Sequence, residues 1–387
     1  MKIGIDLRMY SSRFTGIGRY CYELVENLIA LDTTNDYVFF LNEPEYSEFV
    51  KSKSELLEKG RDRADGSSQS FKAVKVNARH YSKAEQISFC KALKKENLDL
   101  MHFTHFNAPL MYRRPCVVTI HDLTLSFFPG KKLTKWYHRS AYHMVLKSIV
   151  KRAKKIIAVS KNTELDLHRL YNFTRGKTVM IHESAGDEFR KLPIEKVVET
   201  VGKYGIDKEY LLYTGVHRDH KNVVGLIGAF AKLIHEHGFD GYLVITGKEN
   251  PHYPEVRETI KKLQLENSVK LVGLVPEDDL IGLYNGAAAY AYPSFYEGFG
   301  LPALEAFACE TPVCASNTSC IPDVCGDAAL YFDPKNLDDM AEKLSELLRN
   351  QGLQEHLIEK GSTRLKEFSW KKMAKETLEV YNSSLES

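Results

Sequence analysis

Short runs of β-branched and aromatic residues alternate along the whole chain with segments of helix length. In the first half these runs lie at 2–7, 37–42, 71–76, 98–103, 116–122, 155–160 and 178–183. In the second half they lie at 210–216, 242–247, 269–275, 288–294, 312–316 and 329–334. Most are continuously apolar rather than alternating, as strands covered on both faces require. Strand–helix alternation of this kind predicts βαβ units and parallel sheets, an α/β protein. Between 186 and 209 the pattern gives way to charged, turn-forming residues. We place a boundary there, with domains at 1–190 and 191–369. Two doubly wound, Rossmann-like domains facing each other would leave a cleft at the carboxyl ends of their strands, where ligands bind in such folds. Residues 51–70 are polar and predict a surface loop or a frayed helix.

The chain has 387 residues, 43% hydrophobic and 27% charged, too long for one ordinary core and too apolar for disorder. Its net charge of +2 conceals an asymmetry. Residues 1–186 carry 31 Lys/Arg against 19 Asp/Glu, and the remainder carry 22 against 32. A basic first half suggests an anionic partner. There is no apolar run long enough to span a bilayer, and the opening residues read as a strand rather than a signal peptide. Seven scattered cysteines do not form a disulfide framework. The expectation is a soluble, reduced, cytoplasmic protein.

The segment 293–306, PSFYEGFGLPALEA, carries the most chemistry. A strand ends and a glycine-bearing loop enters a helix expected to start near Leu301 or Pro302. Gly298 and Gly300 allow close backbone approach, and the free N–H groups and positive dipole end of the helix start suit a phosphate. Glu297 and Glu305 bracket this cradle, and carboxylates accept from paired sugar hydroxyls. A second strand–glycine–loop element contains Gly215, Arg218 and Lys221, two cations able to neutralise a pyrophosphate. The bland alternative there is a solvated turn. A third element places Gly16 and Gly18 at the start of a helix, without the spacing of a nicotinamide-binding fingerprint. His121 ends a buried strand, where it either donates to or orients a substrate hydroxyl or is a satisfied structural histidine. His102, His105 and His182 are better read as structural.

Cys309, Cys314, Cys320 and Cys325 are spaced too widely for a zinc knuckle, and no Asp-x-Asp occurs. No metal or cofactor is expected. Residues 131–155 hold nine Lys/Arg, no acid, and Trp136, Tyr137, Tyr142 and Met144. A basic helix with aromatics suggests an anionic membrane surface, against the alternative of a merely solvated face. No nucleic-acid-binding module accompanies it.

Together these elements resemble the retaining GT-B glycosyltransferases of family 4. The match to the E-x7-E motif is EGFGLPALE (297–305), with the glycine loop at 14–19, His121-Asp122, AVSKNT (158–163), Lys221 and GDAALYFDP (326–334) in the expected order. The likeness is greatest to bacterial mannosyltransferase-like members that build surface polysaccharides. It implies a second domain that binds a nucleotide sugar and a first domain that binds a saccharide or lipid-linked acceptor. The last helix, 370–387, would return to the first domain. It further implies that Glu305 binds ribose, Glu297 the donor sugar, and Arg218 and Lys221 the diphosphate, helped by backbone N–H groups at Phe299 to Leu301. His121 would lie by the transferred sugar, with Gly16 and Gly18 facing phosphate and acceptor. GDP-mannose is the donor implied, with no metal. The loop HRDHKN and the segment IHESAGDEF (181–189) depart from the family's usual forms. A nucleotide-sugar epimerase of the same fold and a non-catalytic two-lobed binding protein are the alternative readings.

Overall fold

The structure, a computed structural model, describes residues 1–11, 16–63, 66–131 and 136–385. These form two compact units. One comprises, of the described residues, 1–123, 136–183 and 370–385, and the other 124–131 and 184–369.

The first unit contains β1 (Lys2–Asp6), β2 (Asp36–Leu41), β3 (Arg61–Asp62), β4 (Ser68–Gln69), β5 (Phe71–Lys75), β6 (Leu100–Phe103), β7 (Cys116–Ile120), β8 (Lys155–Ala158) and β9 (Thr178–Met180). Seven of these make a sheet in the order β5-β2-β1-β6-β7-β8-β9, parallel throughout. The second unit contains β10 (Tyr210–Thr214), β11 (Tyr242–Thr246), β12 (Val269–Gly273), β13 (Ala289–Tyr292), β14 (Val313–Ser316) and β15 (Ala329–Phe332), in the parallel order β12-β11-β10-β13-β14-β15. Both units are α/β and doubly wound. Each sheet reverses its winding direction once, between β1 and β6 and between β10 and β13. At such a point adjacent loops diverge to opposite faces and open a crevice.

The predicted strands form at every apolar run, because helices cover both faces and leave no place for polar alternation. In the second unit Leu211, Tyr213, Leu243, Ile245, Leu226 and Phe230 belong to one buried cluster. In the first, the helix Trp370–Leu385 packs on the helix Gly16–Leu31 and buries Trp370, Met373, Val380 and Tyr381. Of the surface loop or frayed helix expected at 51–70 it is the helix that forms, and the paired strands beside it were not expected. A helix covers Ser54–Lys59, and β3 and β4 pair as a short antiparallel ladder. Two-residue polar strands leave no hydrophobic period to read.

The basic run also differs from one continuous helix. The helix is Trp136–Arg152. Lys131 precedes it and pairs with Glu255 in the second unit. Lys132 to Lys135 lie outside the described residues. Arg152 turns inward, where its Nη1 donates to the Leu110 carbonyl at 2.8 Å. Tyr142, Leu146, Ile149 and Val150 are buried, whereas Trp136 is 77% exposed and Met144 56%. Among the described residues no helix is long and apolar enough to cross a membrane.

Candidate active site

In the second unit the loops after β10 and β13 meet at the winding reversal, and the predicted residues there are joined directly. Lys221 Nζ donates to both carboxylate oxygens of Glu297, at 2.7 and 2.9 Å, across 76 residues of sequence. The pair is mostly buried, with side-chain exposures of 20% and 11%. Ser294 Oγ adds a bond to Glu297 Oε1 at 2.7 Å. Lys221 is therefore not the free loop cation that the sequence suggested. Its charge is already shared with the carboxylate expected to meet a sugar.

Local backbone sets these positions. Asn222 adopts φ 53°, ψ 35°, a left-handed conformation that asparagine tolerates. Its side-chain amide donates to the carbonyls of Pro293 (3.1 Å) and Pro334 (2.9 Å), clipping the Lys221 loop to the ends of β13 and β15. Gly300, at φ 123°, is the residue from which the helix Leu301–Ala308 starts, with proline in its first turn. Beneath the loop, Cys320 Sγ donates to the Phe299 carbonyl at 2.8 Å, and Ser319 Oγ donates to that of Glu297 at 2.9 Å. The Phe299 ring packs edge-on against Phe368. Gly298 lies within the same turn.

Glu305 is held from below. Tyr284 Oη lies 2.9 Å from its Oε2 and 3.0 Å from Thr214 Oγ1, which is 3.1 Å from Tyr290 Oη. Opposite an ionised Glu305, the one Tyr284 proton goes to the carboxylate. Thr214 then donates to Tyr284, and Tyr290 to Thr214. Burial and the neighbouring Glu305 charge hold the Tyr284 phenol well above its ordinary range, so it remains a donor. Thr214 immediately precedes Gly215, which adopts φ 147°, so this chain ties both glycine loops together. Arg218 is exposed, in extended backbone ahead of a single 3-10 turn.

In the first unit, His121 sits just beyond β7 and is 8% exposed. Its Nδ1 is 2.8 Å from Glu183 Oε1 and its Nε2 is 2.9 Å from the Thr104 carbonyl. Tyr20, on the helix that Gly16 begins, meets the ring edge-on at 4.7 Å between centroids. The structure thus brings His121 and the glycine-led helix together. Gly16 is open to solvent, with nothing within 4 Å of an added Cβ. A Cβ on Gly18 would come within 3.1 Å of Ser11 and 3.3 Å of the Met9 carbonyl, so Gly18 serves close packing. Phe14 and Thr15 lie outside the described residues. His102 is structural: it bridges Thr119 (2.8 Å) and Tyr381 (2.7 Å), and burial pushes its pKa down to about 3.

Sequence reasoning missed Glu183, Tyr284, Asn222 and Ser294. Glu183 stood in the segment that departs from the family pattern, which was the available signal. All seven cysteines are buried and free. Among the described residues no group of three or more His, Cys, Asp or Glu is arranged to hold a metal.

Residues 14–184 match the family model described as Glycosyltransferase Family 4, and residues 199–364 match that described as Glycosyl transferases group 1. O-antigen chain mannosyltransferase B of Escherichia coli is 27% identical over 98% of this chain and 99% of its own length. Two solved structures share the fold. Sucrose-phosphate synthase from Thermosynechococcus elongatus has TM-score 0.74, 19% identity and coverage of 99% and 98% of the two chains. WaaG, a glycosyltransferase involved in lipopolysaccharide biosynthesis, has TM-score 0.73, 14% identity and coverage of 97% and 98%. The chain belongs to the glycosyltransferases, with a family 4 first half and a group 1 second half, and its fold is GT-B.

Proposed function

We propose that this glycosyltransferase moves a hexose, mannose in the first instance, from a nucleoside-diphosphate sugar to a hydroxyl of a saccharide or lipid-linked saccharide, with retention and without a metal. The observation that carries this reading is the joined constellation of Lys221, Glu297 and Glu305 at the winding reversal of the second unit. Glu305 accepts from ribose hydroxyls and Glu297 from the donor sugar, while Lys221 and Arg218 hold the diphosphate. Expelling a nucleoside diphosphate builds negative charge on the leaving oxygen, and a fixed ammonium and a helix start stabilise it. His121 is assigned to the transferred sugar. Departure of the leaving group and attack of the acceptor on the same face preserve anomeric configuration, the diphosphate oxygen taking the acceptor proton. The mannosyltransferase named above supports the choice of sugar and a role in surface polysaccharide synthesis.

The exposed Trp136, Tyr137 and Met144, with Arg139, Lys147 and Lys151 on the same helix, support a peripheral position at an anionic cytoplasmic membrane face. Retention of the protein by anionic vesicles over neutral ones in cosedimentation tests this. Equal recovery removes it.

The reaction is tested by incubating the full chain with GDP-mannose and octyl α-mannoside in excess EDTA, then reading product and anomeric configuration by NMR. An α-linked dimannoside formed with EDTA present is expected. An inverted product, strict dependence on added Mg²⁺ or Mn²⁺, or an isomerised donor formed without acceptor each overturns the corresponding part.

A further inference from the structure

We propose that Glu183 is a positioning residue that fixes the His121 ring, an assignment that rests on the role for His121 given above. Glu183 lies three residues beyond β9, two strands away from β7 in the sheet, and 62 residues from His121 in sequence. Its carboxylate and the ring are nearly buried, with side-chain exposures of 5% and 9%.

Both contacts of the ring are with acceptors. A carbonyl only accepts, so the Thr104 contact puts a proton on Nε2. The Nδ1 contact then needs one shared proton, carried by the ring opposite an ionised carboxylate or by the carboxyl opposite a neutral ring. In either case the pair keeps zero net charge. Its titratable neighbours include His102 on β6, His105 beyond β6, and Tyr20 and Cys21 on the helix Gly16–Leu31. Burial holds the two histidines deprotonated and the phenol and thiol protonated. Glu183 and His121 therefore balance each other. Glu183 and Thr104 bond opposite edges of the ring and Tyr20 closes one side, so rotation of the imidazole is blocked. Removing the carboxylate would leave Nδ1 buried without a partner and the ring free to turn. A cation beside the anomeric carbon would also oppose the positive charge that develops there during transfer. A neutral pair does not.

A glutamine at 183 keeps the geometry, because its amide N–H donates to Nδ1 of a neutral ring whose Nε2–H still bonds Thr104. The test compares Glu183→Ala, Glu183→Gln and His121→Ala with GDP-mannose and octyl α-mannoside, alongside thermal unfolding of each. We expect Glu183→Ala to lower kcat about tenfold or more with the donor KM within about twofold, and Glu183→Gln to recover most of that loss. If His121→Ala is impaired while Glu183→Ala is not, the positioning role is overturned and the reading of His121 stands. If His121→Ala transfers at the wild-type rate, the reading of His121 fails and the positioning role with it. A Glu183→Gln enzyme as slow as Glu183→Ala, at unchanged unfolding temperature, also overturns positioning in favour of a charge requirement.

Discussion

At the residue scale, Lys221 and Glu297 neutralise one another in a mostly buried setting, so removing either leaves an uncompensated partner. Lys221→Ala and Glu297→Ala should each reduce transfer at least tenfold, or about 1.4 kcal/mol. Single-turnover rates with GDP-mannose check this, and near-normal rates in both variants would remove the site. Tyr284→Phe is subtler. It deletes the hydroxyl that bonds both Glu305 and Thr214 while keeping the ring. The donor KM should rise severalfold with little change in kcat, because Glu305 is assigned to binding rather than to the reacting carbon. Stability should fall by about 1 kcal/mol for the lost buried hydrogen bonds.

At the element scale, the helix Leu301–Ala308 depends on the backbone of Gly300. A Cβ there would lie 3.6 Å from the Tyr292 hydroxyl, so space is available. The obstacle is φ 123°, which L-residues rarely adopt. Gly300→Ala should therefore cost about 1–3 kcal/mol, read as a lower urea midpoint at unchanged slope, together with weaker donor binding. An unchanged midpoint would mean that the loop accommodates the side chain and is not set by this dihedral. The same scale explains what was legible. The loop-to-helix segment 293–306 could be read from the sequence because its glycines, proline and both glutamates are contiguous. Its supports could not, because Lys221 reaches it across 76 residues through the pairing of β10 with β13, and Tyr284 across 21 residues by contact of the helix Glu277–Gly286 with the helix Leu301–Ala308.

At the scale of the whole molecule, acid should act on the first unit. His102 is buried between Thr119 and Tyr381 with its pKa down at about 3, and burial lowers His80 to about 4 and His105 well below the ordinary value. Between the ordinary histidine range, near pH 6.5, and these depressed values, the unfolded chain binds protons that the folded chain refuses. Stability is therefore full above about pH 6.5 and falls as the pH drops below it, by roughly 1 kcal/mol per pH unit for each such histidine. Urea midpoints from pH 7 to pH 5 check this, and His102→Asn should flatten the slope. An unchanged slope in that variant would show that His102 is not among the groups responsible.

The sequence by itself determined the two parallel-sheet units, every long strand and the family. All of these follow from local hydrophobic period and contiguous motifs. Only tertiary structure decided which charges are paired: Lys221 with Glu297, His121 with Glu183, and Glu305 with Tyr284. It also decided that the segment 124–131 packs with the second unit although strands of the first flank it. The physical reason is that strand order and winding direction bring distant loops to one edge of a sheet, whereas a sequence shows directly only the partners that lie within a turn or two.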